Sequence, residues 1–179
     1  MNRIKFTAAL AVLLAGASMV DAAEFTNRFA IFISSDDPPE QSIIDGSAIP
    51  AGLRLQADPI ISEANLLSYD TNNNTFMVPF DTAQRIGQIC LTRLQTPFVV
   101  VANGQRIYVG EFSSPLSSNS TGVPTILPSL AQTNGASPNI QFQIDRGYPP
   151  PNGSARGADR RSDPRIISAI HALFPNPKS

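Results

Sequence analysis

Residues 97–112 read PFVVVANGQRIYVGEF, and this stretch decides the fold class. Two apolar runs flank Asn103-Gly104, and these two residue types tolerate the positive φ angles of a type I′ turn. The first run is apolar on both faces, so we expect it at the centre of a sheet. The turn predicts these facing pairs: Ala102 with Gln105, Val100 with Ile107, and Phe98 with Val109.

The segment before the hairpin predicts an amphipathic helix over residues 81–95. Asp81 belongs to the residue types that cap helix N-termini, and Pro97 ends the pattern. Apolar side chains recur at spacings of three and four residues, at Ala83, Ile86, Cys90 and Leu94. The sequence therefore predicts an α+β fold, with a small antiparallel sheet whose central hairpin 98–112 is covered by helix 81–95.

The remaining predicted elements are shorter and are separated by extended loops. Phe29, Ile31 and Ile33 on one face predict a strand over NRFAIFIS, and strict alternation predicts another over NIQFQID. A third short strand ends near Pro79. The stretch DPIISEANLLSY has apolar residues at helical spacing and predicts a helix over residues 58–67. A final short helix opens at Pro164, since proline is favoured in the first helical turn.

The N-terminus has the features of an export signal. Arg3 and Lys5 precede an apolar run, residues 8–19, that is too short for a membrane anchor, and small residues precede Ala23. We expect cleavage of a signal peptide at residues 1–22 and a periplasmic location; the alternative is a buried N-terminal helix. The sequence predicts no later membrane span.

Charge and cysteine content narrow the class of protein. Removal of residues 1–22 changes 13 basic and 14 acidic side chains to 11 and 13, and this near balance argues against nucleic-acid binding. Cys90 is the single cysteine, so no intrachain disulfide forms and core burial must stabilise the chain. The length fits one domain, which we place at residues 23–145.

Residues 146–179 are rich in proline, glycine and arginine, and predict a flexible tail with a short terminal helix. Its loosely built part holds four arginines: Arg156, Arg160, Arg161 and Arg165. Two interpretations stay open for them. The tail keeps the protein in solution, or its arginines bind an acidic partner in the cell envelope.

The residues that could carry catalysis form no known motif. His171 is the only histidine, and Cys90 falls on the apolar stripe of its helix, so zinc and Cys-His chemistry are disfavoured. Residues 70–81 resemble a calcium loop, but Thr75 stands where the turn needs glycine and Asp81 where a glutamate is needed. We therefore predict no catalytic residue, metal or cofactor, and expect that the protein is not an enzyme.

Several residues of the helix and hairpin carry a family resemblance. The order of a helix with Ala83 on its buried face, an apolar strand, Asn103-Gly104 and a second strand resembles the periplasmic head domain of the protein-translocase subunit SecD. Ile86 stands where that family has an aromatic residue and Cys90 where it has threonine, and Asn-Gly replaces Asp-Gly. The similarity covers residues 53–126 and implies a surface that contacts polypeptide, without the membrane helices of SecD.

Two functions follow from these observations. The first is an exported, non-catalytic binding or accessory module for a polypeptide or envelope protein. Its predicted contact residues are Arg106, Tyr108 and Phe112, beside the loop 113–120, because arginine and aromatic side chains carry much interface energy. The alternative is an envelope hydrolase whose two carboxylates face each other across a cleft.

Overall fold

The computed structural model describes residues 25–37, 53–128, 137–150 and 155–175; the predicted signal peptide, residues 1–22, lies outside them. Within these residues the chain forms a mixed eight-stranded sheet and two helices, which confirms the α+β class. The sheet differs from the expected small antiparallel one in its size of eight strands and in one parallel pair. The elements are β1 (Phe29–Ile33), β2 (Ile61–Ser62), β3 (Ser68–Asp70), β4 (Thr75–Pro79), α1 (Phe80–Thr92), β5 (Gln95–Ala102), β6 (Gln105–Ser113), β7 (Thr125–Ile126), β8 (Asn139–Asp145) and α2 (Pro164–Leu173).

The sheet curls so that its two edges approach each other. Its strand order is β2-β1-β5-β6-β7-β8-β4-β3, and only the β6–β7 pair is parallel. The edge strands β2 and β3 are joined by residues 63–67 alone. Phe29 of β1 packs against Tyr69 of β3 with ring centroids 5.5 Å apart. One face of the sheet is therefore enclosed and holds the main core.

The two helices fill opposite ends of this curled sheet. α1 connects the end of β4 to the start of β5, and it buries Ala83, Ile86 and Cys90. α2 lies beside the β5–β6 turn, where the Asn103 side-chain amide donates to the Arg165 carbonyl at 3.3 Å. Both helices contribute to one hydrophobic cluster with the inner faces of the strands.

Helix α1 confirms the predicted position of Cys90 but shifts the helix ends. Cys90 is 4% exposed. The helix begins after Pro79, and Asp81 lies in the first turn, where its carboxylate accepts from the Thr82 N–H at 2.7 Å. It ends at Thr92, because the chain turns there to enter β5, and Leu94 is consequently 55% exposed rather than part of the buried stripe.

The hairpin is present, but its predicted register is correct only next to the turn. Ala102 faces Gln105, as expected. A β-bulge then inserts Ile107, so that Val100 faces Tyr108 and Phe98 faces Gly110. One extra residue on β6 reverses which side chains of that strand point to each face beyond it.

Residues 58–67 do not form the predicted helix. Ile61 instead faces Ile31 in the β1–β2 ladder, and the backbone then turns into β3. The Asn65 side chain stabilises this turn, since its oxygen accepts from the Ser62 N–H at 2.7 Å and its amide donates to the Ile60 carbonyl at 3.0 Å. A local side-chain bond of this kind offers the backbone an alternative to helix.

The expectation of a flexible tail is wrong for the α2 segment. Ile166, Ala169 and Ile170 of α2 are at most 2% exposed and belong to the main core. The Asp163 carboxylate caps the helix by accepting from the Arg165 N–H at 2.9 Å. Three apolar side chains at one helical face outweigh the ordering cost of so short a helix once the curled sheet offers a place for them.

Candidate binding surfaces

The outer face of the sheet carries a second, smaller hydrophobic cluster. It consists of side chains of β1, β5 and β6 that point away from the helices, covered by residues before β1 and by residues 53–55: Ala30, Phe32, Leu53, Val99, Val101 and Val109, with Phe25 and Leu55 against them. The outer face is thus covered at its centre. Two grooves are lined by residues of the strands and of the segments around this cluster.

Arg106 lines the first of these grooves, which we call the Arg106 groove. The groove has a volume of about 720 Å³, and most of its other lining residues come from 25–35 and 53–59. The Arg106 guanidinium donates to the Leu53 carbonyl at 2.8 Å and lies 5.6 Å from the centroid of the Phe25 ring. Both contacts hold the covering segments on the sheet, so Arg106 is engaged in the fold.

Tyr108 and Phe112 do not share a surface with Arg106. They are 4% and 0% exposed and point into the main core, on the face opposite Arg106. The cause is the bulge at Ile107, because the extra residue makes the side chains of Arg106 and Tyr108 point to opposite faces of the sheet. The three residues predicted as one contact surface are therefore split between the two faces of the sheet.

The second groove is polar and lies at the α1 end of the outer face. Its volume is about 690 Å³, and we call it the polar groove. The Arg93 guanidinium donates to the Asp37 carboxylate at 2.5 Å, and the Gln95 amide donates to Glu111 at 3.3 Å. Residues 118–120 of the predicted contact loop, together with Thr121, line its other side.

Three exposed leucines lie on the segments that adjoin the polar groove. Leu91, Leu94 and Leu116 are 58%, 55% and 72% exposed, and we call them the leucine surface. The Ser114 N–H donates to the Leu94 carbonyl at 2.8 Å, which joins the end of α1 to the loop that carries Leu116. Sequence reasoning missed this surface because Leu94 continues the helical apolar spacing; the sequence signal was Leu116, a lone large apolar residue in a Ser/Pro-rich loop.

The residues considered for catalysis or metal binding do not form a common site. His171 is exposed on α2. Asp70 holds its own turn, since it accepts from Asn72 and from the side chain and backbone of Asn73; these hydrogen bonds, the one from the Asn73 side chain first, lower its pKa. Burial raises the pKa of the Cys90 thiol to about 12. Among the described residues, no group of three or more His, Cys, Asp or Glu side chains could hold a metal ion.

Asp37 and Glu111 are a pair of carboxylates that line one concavity, the polar groove. Each already accepts a hydrogen bond, from Arg93 and from Gln95 respectively. Both carboxylates therefore already have side-chain partners that fix their position at the rim of the groove.

Comparison with known proteins adds no relative to this picture. No family profile, no curated protein and no solved structure matches the chain. In the part of the chain that the structure describes, neither helix is long and apolar enough to cross a membrane.

Proposed function

We propose that this protein is an exported, periplasmic binding or accessory module that holds a polypeptide segment and performs no catalysis. The observation that carries this proposal is the leucine surface on segments adjoining the polar groove. The resemblance of residues 53–126 to a SecD head domain belongs to the same proposal, and rests on the sequence pattern of its helix and hairpin.

An extended polypeptide fits the chemistry of these two features together. Exposed apolar side chains that adjoin polar ones are typical of protein interaction sites. Leu91, Leu94 and Leu116 offer apolar contact for side chains of the bound segment. The amides and hydroxyls of residues 118–121 offer hydrogen bonds to its backbone.

The test uses a chemically unfolded polypeptide, reduced and carboxymethylated so that it stays unfolded, with a fluorescent label. Anisotropy measures its binding to the protein and to a variant with Leu91→Ser, Leu94→Ser and Leu116→Ser. We expect the triple variant to raise the Kd at least about tenfold, which corresponds to about 1.4 kcal/mol.

The matched control is Leu67→Ser, which removes an exposed leucine (41% exposed) between β2 and β3, outside the leucine surface. We expect it to leave the Kd unchanged, and all variants to keep the Tm of the parent protein. Equal weakening by the control would show nonspecific adhesion. Absence of binding at about 100 μM probe would reject a polypeptide-binding role.

A hydrolase is the second candidate, because Asp37 and Glu111 line the same groove. Hydrolysis of a glycan needs one carboxyl as acid and a second as base or nucleophile. Purified envelope glycan incubated with the protein would then release new reducing ends, and Glu111→Gln would abolish the release. No release by the parent protein would leave the binding role alone.

The proposed export has its own test. The protein recovered from the periplasmic fraction of the producing cell should begin at Ala23. An intact Met1 in that fraction, or retention of the whole chain in the cytoplasm, would contradict the signal peptide.

A further inference from the structure

Two tyrosine hydroxyls of the main core have no hydrogen-bond partner in the part of the chain that the structure describes. Tyr69 on β3 and Tyr108 on β6 are 8% and 4% exposed. Neither hydroxyl oxygen has a donor or acceptor within reach among the described residues. The two side chains come from distant strands of the curled sheet and face the same interior.

Charged side chains of the segment before α2 lie near these two hydroxyls. Residues 155–163 lead into α2, and we call them the arginine plug. In it, Arg161 donates to the Ile144 carbonyl of β8 at 2.8 Å and pairs with Asp159, while Arg160 donates to the Ile107 carbonyl in the bulge of β6 at 3.5 Å. The plug is thus attached to two strands of the sheet through backbone carbonyls.

The contacts of the plug place it beside both tyrosines. Arg160 donates to the carbonyl of Ile107, the residue that precedes Tyr108. Tyr69 faces Phe76 in the β3–β4 pair, and Phe76 faces Phe142 of β8. Arg161 donates to the carbonyl of Ile144, two residues beyond Phe142.

The electrostatics of the two tyrosines agree with this geometry. Burial raises the pKa of each hydroxyl, and the charges of Arg161 and Asp159 act on both of them. We call Tyr69, Tyr108 and the Arg161–Asp159 pair the tyrosine cluster.

Buried hydroxyls without a hydrogen-bond partner are unfavourable. A hydroxyl removed from water without a replacement hydrogen bond loses stability, and the loss exceeds what a typical hydrogen bond contributes when formed. Phenylalanine at both positions would have given the same aromatic packing without that loss. Small buried sites with several polar groups are the sites that internal water molecules occupy.

We propose that the tyrosine cluster behind the arginine plug binds ordered water, which bridges the Tyr69 and Tyr108 hydroxyls to the Arg161–Asp159 pair. Each phenol both donates and accepts, and the guanidinium and carboxylate supply the complementary partners. The water then joins β3 and β6 to the plug, so that the hydroxyls hold the plug in place.

The test measures the Tm of three variants: Tyr69→Phe, Tyr108→Phe and the double variant. It asks whether each single change lowers Tm and whether the two losses add. A bridging water makes each single variant lose about 3 °C or more, since removal of one partner leaves the other groups unsatisfied. The double variant should lose clearly less than the two single losses combined. Single variants that raise Tm or leave it unchanged, or losses that simply add, would overturn the proposal.

A second readout detects the water itself. The hydroxyl protons of Tyr69 and Tyr108 should show NMR cross-peaks to water at a short mixing time, and should exchange slowly. For the Tm changes, Tyr148→Phe is the matched control variant. The Tyr148 hydroxyl donates to the Ser117 carbonyl at 3.3 Å and needs no bridging water. Slowly exchanging hydroxyl protons without water cross-peaks would also overturn the proposal.

Discussion

Phe29 and Tyr69 meet edge to face, with ring centroids 5.5 Å apart, although their strands are second and last in the order of the sheet. This contact brings the two ends of the sheet together across the core. Because the two ends are close, residues 63–67 suffice to connect the edge strands β2 and β3. The helices cover the open ends of the interior that the curled sheet encloses.

Gly110 is expected to be irreplaceable in β6. A Cβ atom added there would lie 2.4 Å from the Phe98 ring and 2.4 Å from the Pro124 carbonyl oxygen, so Gly110→Ala forces β5, β6 or the approach to β7 to move. We expect a loss of about 1–3 kcal/mol in the free energy of unfolding, measured with urea.

The control for Gly110 is Gly87→Ala in α1. An added Cβ at Gly87 meets no atom within 4 Å, and alanine is the better helix former. Gly87→Ala should therefore stabilise the protein by about 0.5–1 kcal/mol. A Gly110→Ala variant as stable as the parent protein would contradict the observed packing of Phe98.

Helix α2 is expected to be part of the cooperative fold. Ile170 is 2% exposed in the main core, so Ile170→Ala should cost about 2–5 kcal/mol in unfolding free energy. The neighbouring exposed residue provides the control, and His171→Ala should change it by less than about 0.5 kcal/mol. Equal and small effects for both variants would restore the interpretation of residues 146–179 as a separable tail.

Cys90 is expected to resist modification in the folded protein. It is buried on α1, and burial raises the pKa of its thiol to about 12, so little thiolate exists at neutral pH. A thiol reagent should label the native protein at least about 100-fold more slowly than the protein in denaturant, as expected if labelling requires opening of the fold. Rapid labelling under native conditions would contradict the packing of α1.

Asp159 and Asp145 should affect the pH dependence of stability with opposite signs. The Arg161 side chain lowers the pKa of Asp159, so its contribution is present above the unfolded pKa and is lost as pH falls through the folded one. Burial raises the pKa of Asp145, so its contribution is present at low pH and is lost as pH rises through the folded pKa.

Thermal unfolding of two variants measures this difference. At pH 7, Asp159→Asn should lower Tm and Asp145→Asn should raise it. Both effects should shrink as the pH falls through the folded pKa of each carboxyl, and that of Asp159 lies at the lower pH. Tm changes of the same sign at pH 7, or changes that persist in acid, would show that side-chain packing rather than ionisation governs these two positions.

The periodic patterns of the sequence were sufficient for the central elements. Residues 98–102 and 140–144 alternate or run apolar in a way that only strands satisfy, and the stripe of Ala83, Ile86 and Cys90 repeats once per helical turn. The Asn103-Gly104 turn was equally predictable, and Asn103 has a φ of 50°. These features depend on contacts between residues close in sequence, which is why the α+β class could be predicted.

The candidate surfaces depended on contacts that local patterns do not contain. The bulge at Ile107 places Arg106 on the opposite face of the sheet from Tyr108 and Phe112. The early end of α1 exposes Leu94 and brings it beside the loop of Leu116. Neither the register shift within the hairpin nor the contact of Ser114 with Leu94 follows from the apolar pattern of one element. The sequence therefore predicted the residue types of a contact surface but not which of them reach solvent.

The segment after residue 145 shows the same division most clearly. Its composition indicated a loose chain because it has few apolar side chains. Composition does not show which distant residues those side chains contact. The tertiary structure shows these contacts. Arg161 donates to the Ile144 carbonyl of β8, and Ile166 and Ile170 pack in the main core. The sequence by itself determined the hairpin and the helix that pack on each other, since local periodicity encodes them. Only the curling of the sheet decided that α2 belongs to the core, because the interior it fills exists only after distant strands have met.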